Sequence, residues 1–514
     1  MLLPAIVVTV LAAGCGAAPP AAQPASTTPP VTTPAPTAPA SPSPTPTPAS
    51  ASPTLSVTPS DGWAVDPEEQ AGDAELGAFT GASSVLPGEA LAVFTGAAVS
   101  STGELAVYRL GPYGGTGGAL VAGPLAITVP VAPPAITDPQ TRAVTAPWPA
   151  TTELDTTGWP PGFYFLQVTA NSRSTNVPFV VRSPSVTDAV VFIAGDVTWQ
   201  AYNTWGGRSL YRGPDGFADR SYAVSFDRPY TTEWQIWYDY DISAVNVLEA
   251  AGVPVAYTTV SAVAAAPASV AGAAGLVSNG HDEYWPLSYR DALVNARDAG
   301  TNVAFLGANA GYWRVRLADS PQGPGRIVIG YKSAALDPLP NDPQTTARYR
   351  DEPFAVPENT VIGQMYDCFP SRGDMTIIDP QFFLFAGTGV ARDAAIPGLV
   401  GNESDRAFAG PDTPRPIQVP ALSLVACKET TAYSTMTYYT VPSGAGVWAS
   451  GTMNWGRAMA GPSAQFGLTE ASTAFTRTVT TTLVRAMAEG PMGIPHPARD
   501  DYAMIESLPD VRNA

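Results

Sequence analysis

The stretch "AAGLVSNGHDEYWPLSYRDALVNARDAGTNVAFLGANAG", Ala273 to Gly311, decides how the larger part of the chain is read. Its opening, around Leu276–Ser278, is a short apolar run of the kind buried in a sheet. "SYRDALVNARDAG" reads as a helix, with Ser288 as N-cap, Asp291 three residues on, and Gly300 where a left-handed cap would end it. "NVAFLGANAG" is the next strand. Strand, helix and strand on short connections imply parallel strands covered by a helix. Between the first strand and the helix stands His281, one of only two histidines in the chain, beside Asp282, Glu283, Tyr284 and Trp285. That cluster is either an incidental polar loop or a site.

The same grammar extends in both directions. "DAVVFIAGD" is a β-branched buried strand, and "ISAVNVLEAAGVPVAYTTV" is a helix ended by Gly252 and followed by a strand. Residues 184–514 therefore read as one α/β domain with a mostly parallel sheet. Beyond about Arg316 it mixes β segments with a terminal helix in "FTRTVTTTLVRAMAEG", in an order the sequence leaves open. Residues 60–183 read differently: short β-rich runs such as "ALAVFTG", "ELAVYRLG" and "NVPFVVR", separated by Gly and Pro, without helical periodicity. They predict an immunoglobulin-like antiparallel sandwich closed by the hairpin "PGFYFLQVTANSRSTNVPFVV". The fold class expected is thus α/β plus all-β.

The first residues, "MLLPAIVVTVLAAGCG", form an apolar segment too short for a membrane span. Residues 1–14 read as a signal peptide and "LAAGC" as a lipobox ending at Cys15, although a basic start is missing and Ala12 stands where leucine is commoner. Residues 15–59 are almost only Pro, Ala, Thr and Ser, a disordered stalk. The expectation is an exported lipoprotein facing outward, touching the membrane only through its N-terminal lipid anchor. With Cys15 lipidated, Cys368 and Cys427 remain in an oxidising compartment, where a disulfide is the expected state.

Charge narrows the partners. Lys+Arg 26 against Asp+Glu 44 gives a net charge of -18, so no nucleic acid is expected. Only two lysines occur, Lys332 and Lys428; this reads as coding bias, not function. A homo-oligomer stays open.

Ligands of an open parallel sheet bind beyond the carboxyl ends of its strands. Three loops leave such ends here: "AGDVTWQAYNTWGG", "NGHDEYW" and "GANAGYWRVR". Tyr202, His281, Glu283, Asn309 and Tyr312 are expected to approach one another there. No G-x-S-x-G elbow, H-E-x-x-H, P-loop or dinucleotide fingerprint occurs, and His496, in the Pro-flanked "GIPHPARD", reads as structural. What is left is a carboxylate, tyrosines and one imidazole. Phenolates with a carboxylate make a hard anionic set that suits ferric iron (Fe3+) better than zinc or copper.

"GHDEYW" (280–285) with "ARDAGTNVAFLGANAGYWRVRL" (296–317) resembles the C-terminal domain of the large (β) subunit of N,N-dimethylformamidase. "TWQAYN", "VYRLGPYGGTGG" and "GFYFLQV" fit the same family, from about residue 70 onward. The resemblance implies a glutamine-amidotransferase-like α/β domain and an iron centre held by two tyrosines and a glutamate, hydrolysing a small-molecule amide. Carried onto this chain, Glu283 and Tyr202 are metal ligands and Tyr164 is the second tyrosine. His281, Glu283 and Asn309 form the catalytic set. The family enzyme works with a small partner subunit and lacks a stalk, so the substrate here is expected to differ. The alternative is a non-catalytic, glycan- or peptide-binding envelope protein, with 11 Trp and 20 Tyr as its platforms.

Overall fold

A computed structural model describes residues 57–509 and residue 511. The expected leader, Cys15 and the stalk to residue 56 lie outside the described residues. Within them, no helix is long and apolar enough to cross a membrane.

Two sheets form the first part. Six strands run in the order Thr58–Pro59, Gly118–Val129, Ser101–Leu110, Gly162–Ala170, Arg173–Val181 and Ser84–Val85, and three run in the order Leu76–Thr80, Ala90–Ala97 and Thr152–Asp155. All pairings are antiparallel except that of Ser84–Val85. The closing hairpin turns through Asn171 and Ser172, both at positive φ (52° and 59°), as a two-residue turn between twisted strands requires. Side chains alternate along Gly162–Ala170 with period two. Tyr164, Leu166 and Val168 enter the core shared by the two sheets, while Phe163 and Phe165 leave by the opposite face.

The second part is built on one nine-stranded sheet. Its strands in chain order are β1 (Val190–Ala194), β2 (Val255–Thr259), β3 (Gly275–Gly280), β4 (Asn302–Gly307), β5 (Met365–Thr376), β6 (Ala395–Arg406), β7 (Ile417–Cys427), β8 (Thr430–Thr440) and β9 (Gly446–Ala449). In space the order is β2-β1-β3-β4-β9-β8-β7-β5-β6. The half from β2 to β9 is parallel, and the half beyond β9 is antiparallel. The antiparallel half curls back, since Ser404 on edge strand β6 bridges Thr452, just past β9.

Strands buried on both faces feed two cores. Val190, Phe192 and Ala194 pack with helices α2 (Asp241–Ala250) and α4 (Glu470–Ala488), and with Phe163 and Phe165 from the six-stranded sheet. Val191 and Ile193 pack on the other side with Tyr289, Ala292, Leu293 and Ala296 of α3 (Leu287–Asp298). Each fully buried Val, Ile, Leu or Phe among them contributes about 1.5–3 kcal/mol of transfer free energy.

Two local expectations change. The segment after β1 is a helix, α1 (Asp196–Tyr202), and not a loop. Ser288 does not cap α3: the helix enters from Pro286, and the Ser288 hydroxyl donates to the Ala264 carbonyl at 2.9 Å. The expected stop holds, with Gly300 at φ 107°. Cys368 and Cys427 are bonded, with Cα atoms 5.9 Å apart, tying β5 to β7.

Candidate active site

The parallel half brings β3 and β4 together so closely that only glycine fits at their ends. A Cβ on Gly307 would stand 1.8 Å from the Gly280 carbonyl oxygen, and one on Gly280, which turns at φ 60°, would stand 2.4 Å from Cγ of Tyr240. This turn sends His281, Asp282 and Glu283 inward. All three are buried.

Glu283 is the hub. Its Oε2 accepts from the Tyr202 hydroxyl at 2.6 Å. Its Oε1 accepts from the Tyr211 hydroxyl at 2.8 Å and from Asn309 Nδ2 at 3.2 Å. The Tyr202 oxygen also lies 2.6 Å from His281 Nε2. Tyr202 ends α1, and the chain then folds back so that the Tyr211 ring stacks on that of Tyr202, centroids 4.6 Å apart and 16° from parallel. Arg228 holds this fold-back. Its buried guanidinium donates to the carbonyls of Asn203, Arg208, Trp205 and Gln200 at 2.8–3.3 Å, three of them at or just beyond the negative end of α1.

Asn309, in the segment after β4, sits at φ 57°, and its backbone N–H donates to Asp405 at 2.8 Å. Its side-chain amide bridges two carboxylates, reaching Glu403 at 2.7 Å as well as Glu283. Glu403 and Asp405 come from edge strand β6, carried here by the curl of the antiparallel half. Lys332 closes the cluster from behind. Its ammonium lies 3.4 Å from the centroid of the Tyr211 ring, buried and, among the described residues, without a hydrogen-bond partner.

The charges follow from burial and proximity. Burial raises both phenols far above their ordinary range, and the Glu283 charge raises them further. Burial also pushes Glu283 up, but the hydrogen bond and charge of His281, then Lys332 and Tyr202, outweigh it and leave the carboxyl below its usual range. Burial pushes His281 down, yet Glu403 and Glu283 leave it net raised. Glu403 is pushed up to about 7, chiefly by burial, with His281 opposing and Glu283 adding. Burial lowers Lys332 to about 7, against the pull of Glu283.

Above this floor lies a cavity of about 850 Å³, walled by Trp234, Tyr312, Trp313, Tyr366, Phe369, Met453 and Phe466. Of the expected residues, Tyr202, His281, Glu283 and Asn309 meet at the floor and Tyr312 lines the wall. Tyr164 does not join them. Its hydroxyl donates to the Pro160 carbonyl at 2.5 Å and its ring stacks on Trp159, in the core between the two sheets. Its period-two position on a strand packed face to face with another sheet turns it away from the α/β part. His496 stacks on Phe383 at 4.1 Å, a packing role as expected. Tyr211, Glu403 and Lys332 were not singled out as site residues. The signal available for Lys332 was its rarity, which had been read as coding bias.

A family model described as "N,N-dimethylformamidase beta subunit-like, C-terminal" matches residues 104–467. The chain belongs to this family. The match covers every residue of the floor and starts later than the residue 70 expected from the motifs. No curated protein matches the chain. Membership of the N,N-dimethylformamidase-like family is coarsely consistent with amide hydrolysis, and the family is metal-associated. Among the described residues no group of three His, Cys, Asp or Glu side chains is arranged to hold a metal. A metal in this dimethylformamidase-like chain therefore depends on phenols. The donor set fits one: two phenol oxygens share a single buried carboxylate, a hard anionic set once the phenols lose their protons.

Proposed function

We propose that the protein is a surface-anchored, iron-dependent amidohydrolase that cleaves the C–N bond of a substituted amide. The observation that carries this reading is the convergence of two phenols on one carboxylate, Tyr202 and Tyr211 on Glu283, beneath a cavity. These three residues would hold the iron, with Tyr211 in the place the family resemblance assigned to Tyr164. Both phenols must lose their protons to do so, which a hard trivalent cation favours and burial alone opposes. When bound, ferric iron supplies Lewis acidity that polarises the amide carbonyl and acidifies water.

The remaining work falls to the chain's own groups. Glu403, near 7 and lining the cavity, accepts the proton of the attacking water as the O–C bond forms. It returns that proton to the amine nitrogen as the C–N bond breaks, leaving a carboxylic acid and an amine. His281 stands between the carboxylates, with Nε2 3.4 Å from Glu283 and Nδ1 4.0 Å from Glu403, so its positive charge is positioned to balance both. Asn309 fixes their spacing. The finer fold assignments, an immunoglobulin-like sandwich and a glutamine-amidotransferase-like sheet, belong to the same reading, as do export and the anchor at Cys15. The Cys368–Cys427 bond supports an oxidising compartment.

The test is hydrolysis of substituted amides by the iron-loaded protein. Glu403→Gln is expected to lower kcat by about 10²–10⁴ while the iron content stays unchanged. Full activity in that variant would remove Glu403 from the chemistry. An iron-loaded protein that hydrolyses no amide would overturn the function.

A further inference from the structure

Resting on the hydrolase reading, we propose that the amide this cavity accepts is uncharged and carries an aromatic ring. At about 850 Å³ the cavity belongs with sites that enclose drug-sized molecules, roughly 300–1,000 Å³. The dimethylamide of a one-carbon acid would leave most of it filled with water. Above the floor the apolar surface of the wall is almost entirely aromatic, interrupted by the polar side chains of Asp239, Asn402, Arg457 and Gln465. No leucine, isoleucine, valine or alanine lines the cavity among the described residues, and Met453 is its one aliphatic apolar side chain. A site selected for a saturated substituent would not be built this way.

Apart from the exposed Phe369, the wall rings are also held in place before any ligand arrives. Tyr312 stands perpendicular to Trp313 (4.9 Å, 84°) and steeply across Tyr366 (5.3 Å, 73°). The Arg350 guanidinium lies 5.1 Å from the Tyr312 ring and is itself tied to Glu358. Phe466 carries the Arg457 guanidinium 4.2 Å from its ring, and Arg457 pairs with Asp239 at 2.9 Å. Trp234 meets Tyr202 edge to face at 5.0 Å. Rings fixed in this way lose little freedom on binding, and they favour a flat partner through offset and edge-to-face contacts.

The same observations argue against a cationic substituent, the other ligand that aromatic walls attract. Lys332 on Tyr211, Arg350 on Tyr312 and Arg457 on Phe466 already place cations against three of these rings. A carboxylated substrate would meet Glu403 and Asp239 in the lining, where the cation Arg457 is already paired with Asp239.

The experiment uses the full chain loaded with iron and compares KM and kcat/KM across five amides. These are N-methylformanilide, N,N-dimethylbenzamide, N-cyclohexyl-N-methylformamide, N,N-dimethylformamide and a trimethylammonium-bearing formamide. At least one of the two aryl amides should show a KM roughly tenfold or more below the three others, and which one does places the ring on nitrogen or on the acyl carbon. Tyr366→Leu should narrow that gap. Hydrolysis with no aryl preference, or with a preference for the cyclohexyl or cationic amide, overturns this proposal and leaves the hydrolase reading standing. If no amide is hydrolysed, the hydrolase reading fails, and calorimetric binding decides the ligand class. Tighter binding of an aryl amide than of the cyclohexyl one supports it, and equal binding overturns it.

Discussion

At Gly280 a side chain has nowhere to go, because the Tyr240 ring and the positive φ exclude it together. Gly280→Ala is expected to cost about 3 kcal/mol by chemical denaturation, and a cost below about 0.5 kcal/mol would contradict the packing described. Asp241 makes a second residue-scale case. Burial pushes it up to about 7 against the donors Asn279 and Trp199, whereas in the unfolded chain it titrates near 4. The folded state therefore keeps a proton that the unfolded state releases between about pH 4 and 7. Its stabilising contribution is full below about 4 and is lost as pH rises through 7. Asp241→Asn should gain stability relative to the parent as pH rises from 4 to 8, read from urea midpoints; a constant difference would refute the assignment. What the sequence showed at this scale followed from strand ends. His281, Glu283 and Asn309 were legible because each lies within a few residues of a parallel strand's carboxyl end, and Tyr202 because it stands in the segment that leaves another. Glu403 was not, because it reaches the floor only through the curl of β6. Tyr211 depends on the Arg228 clamp, which has no local signature.

At the scale of elements, the parallel half was readable from apolar runs and glycine stops, and β1 to β4 fall where those signals put them. The antiparallel half was not: β7, β8 and β9 pair in sequence and so do β5 and β6, but no local signal shows that β9 lies beside β4 or that β5 joins β7. Helix α1 escaped because its seven residues, Asp196–Tyr202, are too few to show helical periodicity and look like a polar, aromatic loop. The disulfide acts on this less legible half. It closes a loop between residues 59 apart in sequence, so its removal should cost about 4 kcal/mol. The Cys368→Ser, Cys427→Ser double variant is expected to show that loss in denaturation, and an unchanged midpoint would mean the bond adds nothing to stability.

At the scale of the molecule, the described residues form one compact unit. The reason lies in Phe163 and Phe165, which leave the sandwich's inner core and pack with Phe192, Trp199 and α2 beneath the parallel sheet. The first part thus supports α1, and α1 presents Tyr202 to Glu283. That route gives the sandwich a structural part in building the site, whereas the Tyr164 assignment had given it a ligand. The proposed site is a metal centre made by Tyr202, Tyr211 and Glu283. Its most direct test is the iron content and visible absorption of the purified protein beside Tyr211→Phe and Tyr164→Phe. Stoichiometric iron with a phenolate-to-iron charge-transfer band is expected in the parent and in Tyr164→Phe, with both lost in Tyr211→Phe. A colourless, metal-free parent after reconstitution with iron, or a Tyr211→Phe variant that keeps both signals, would contradict it.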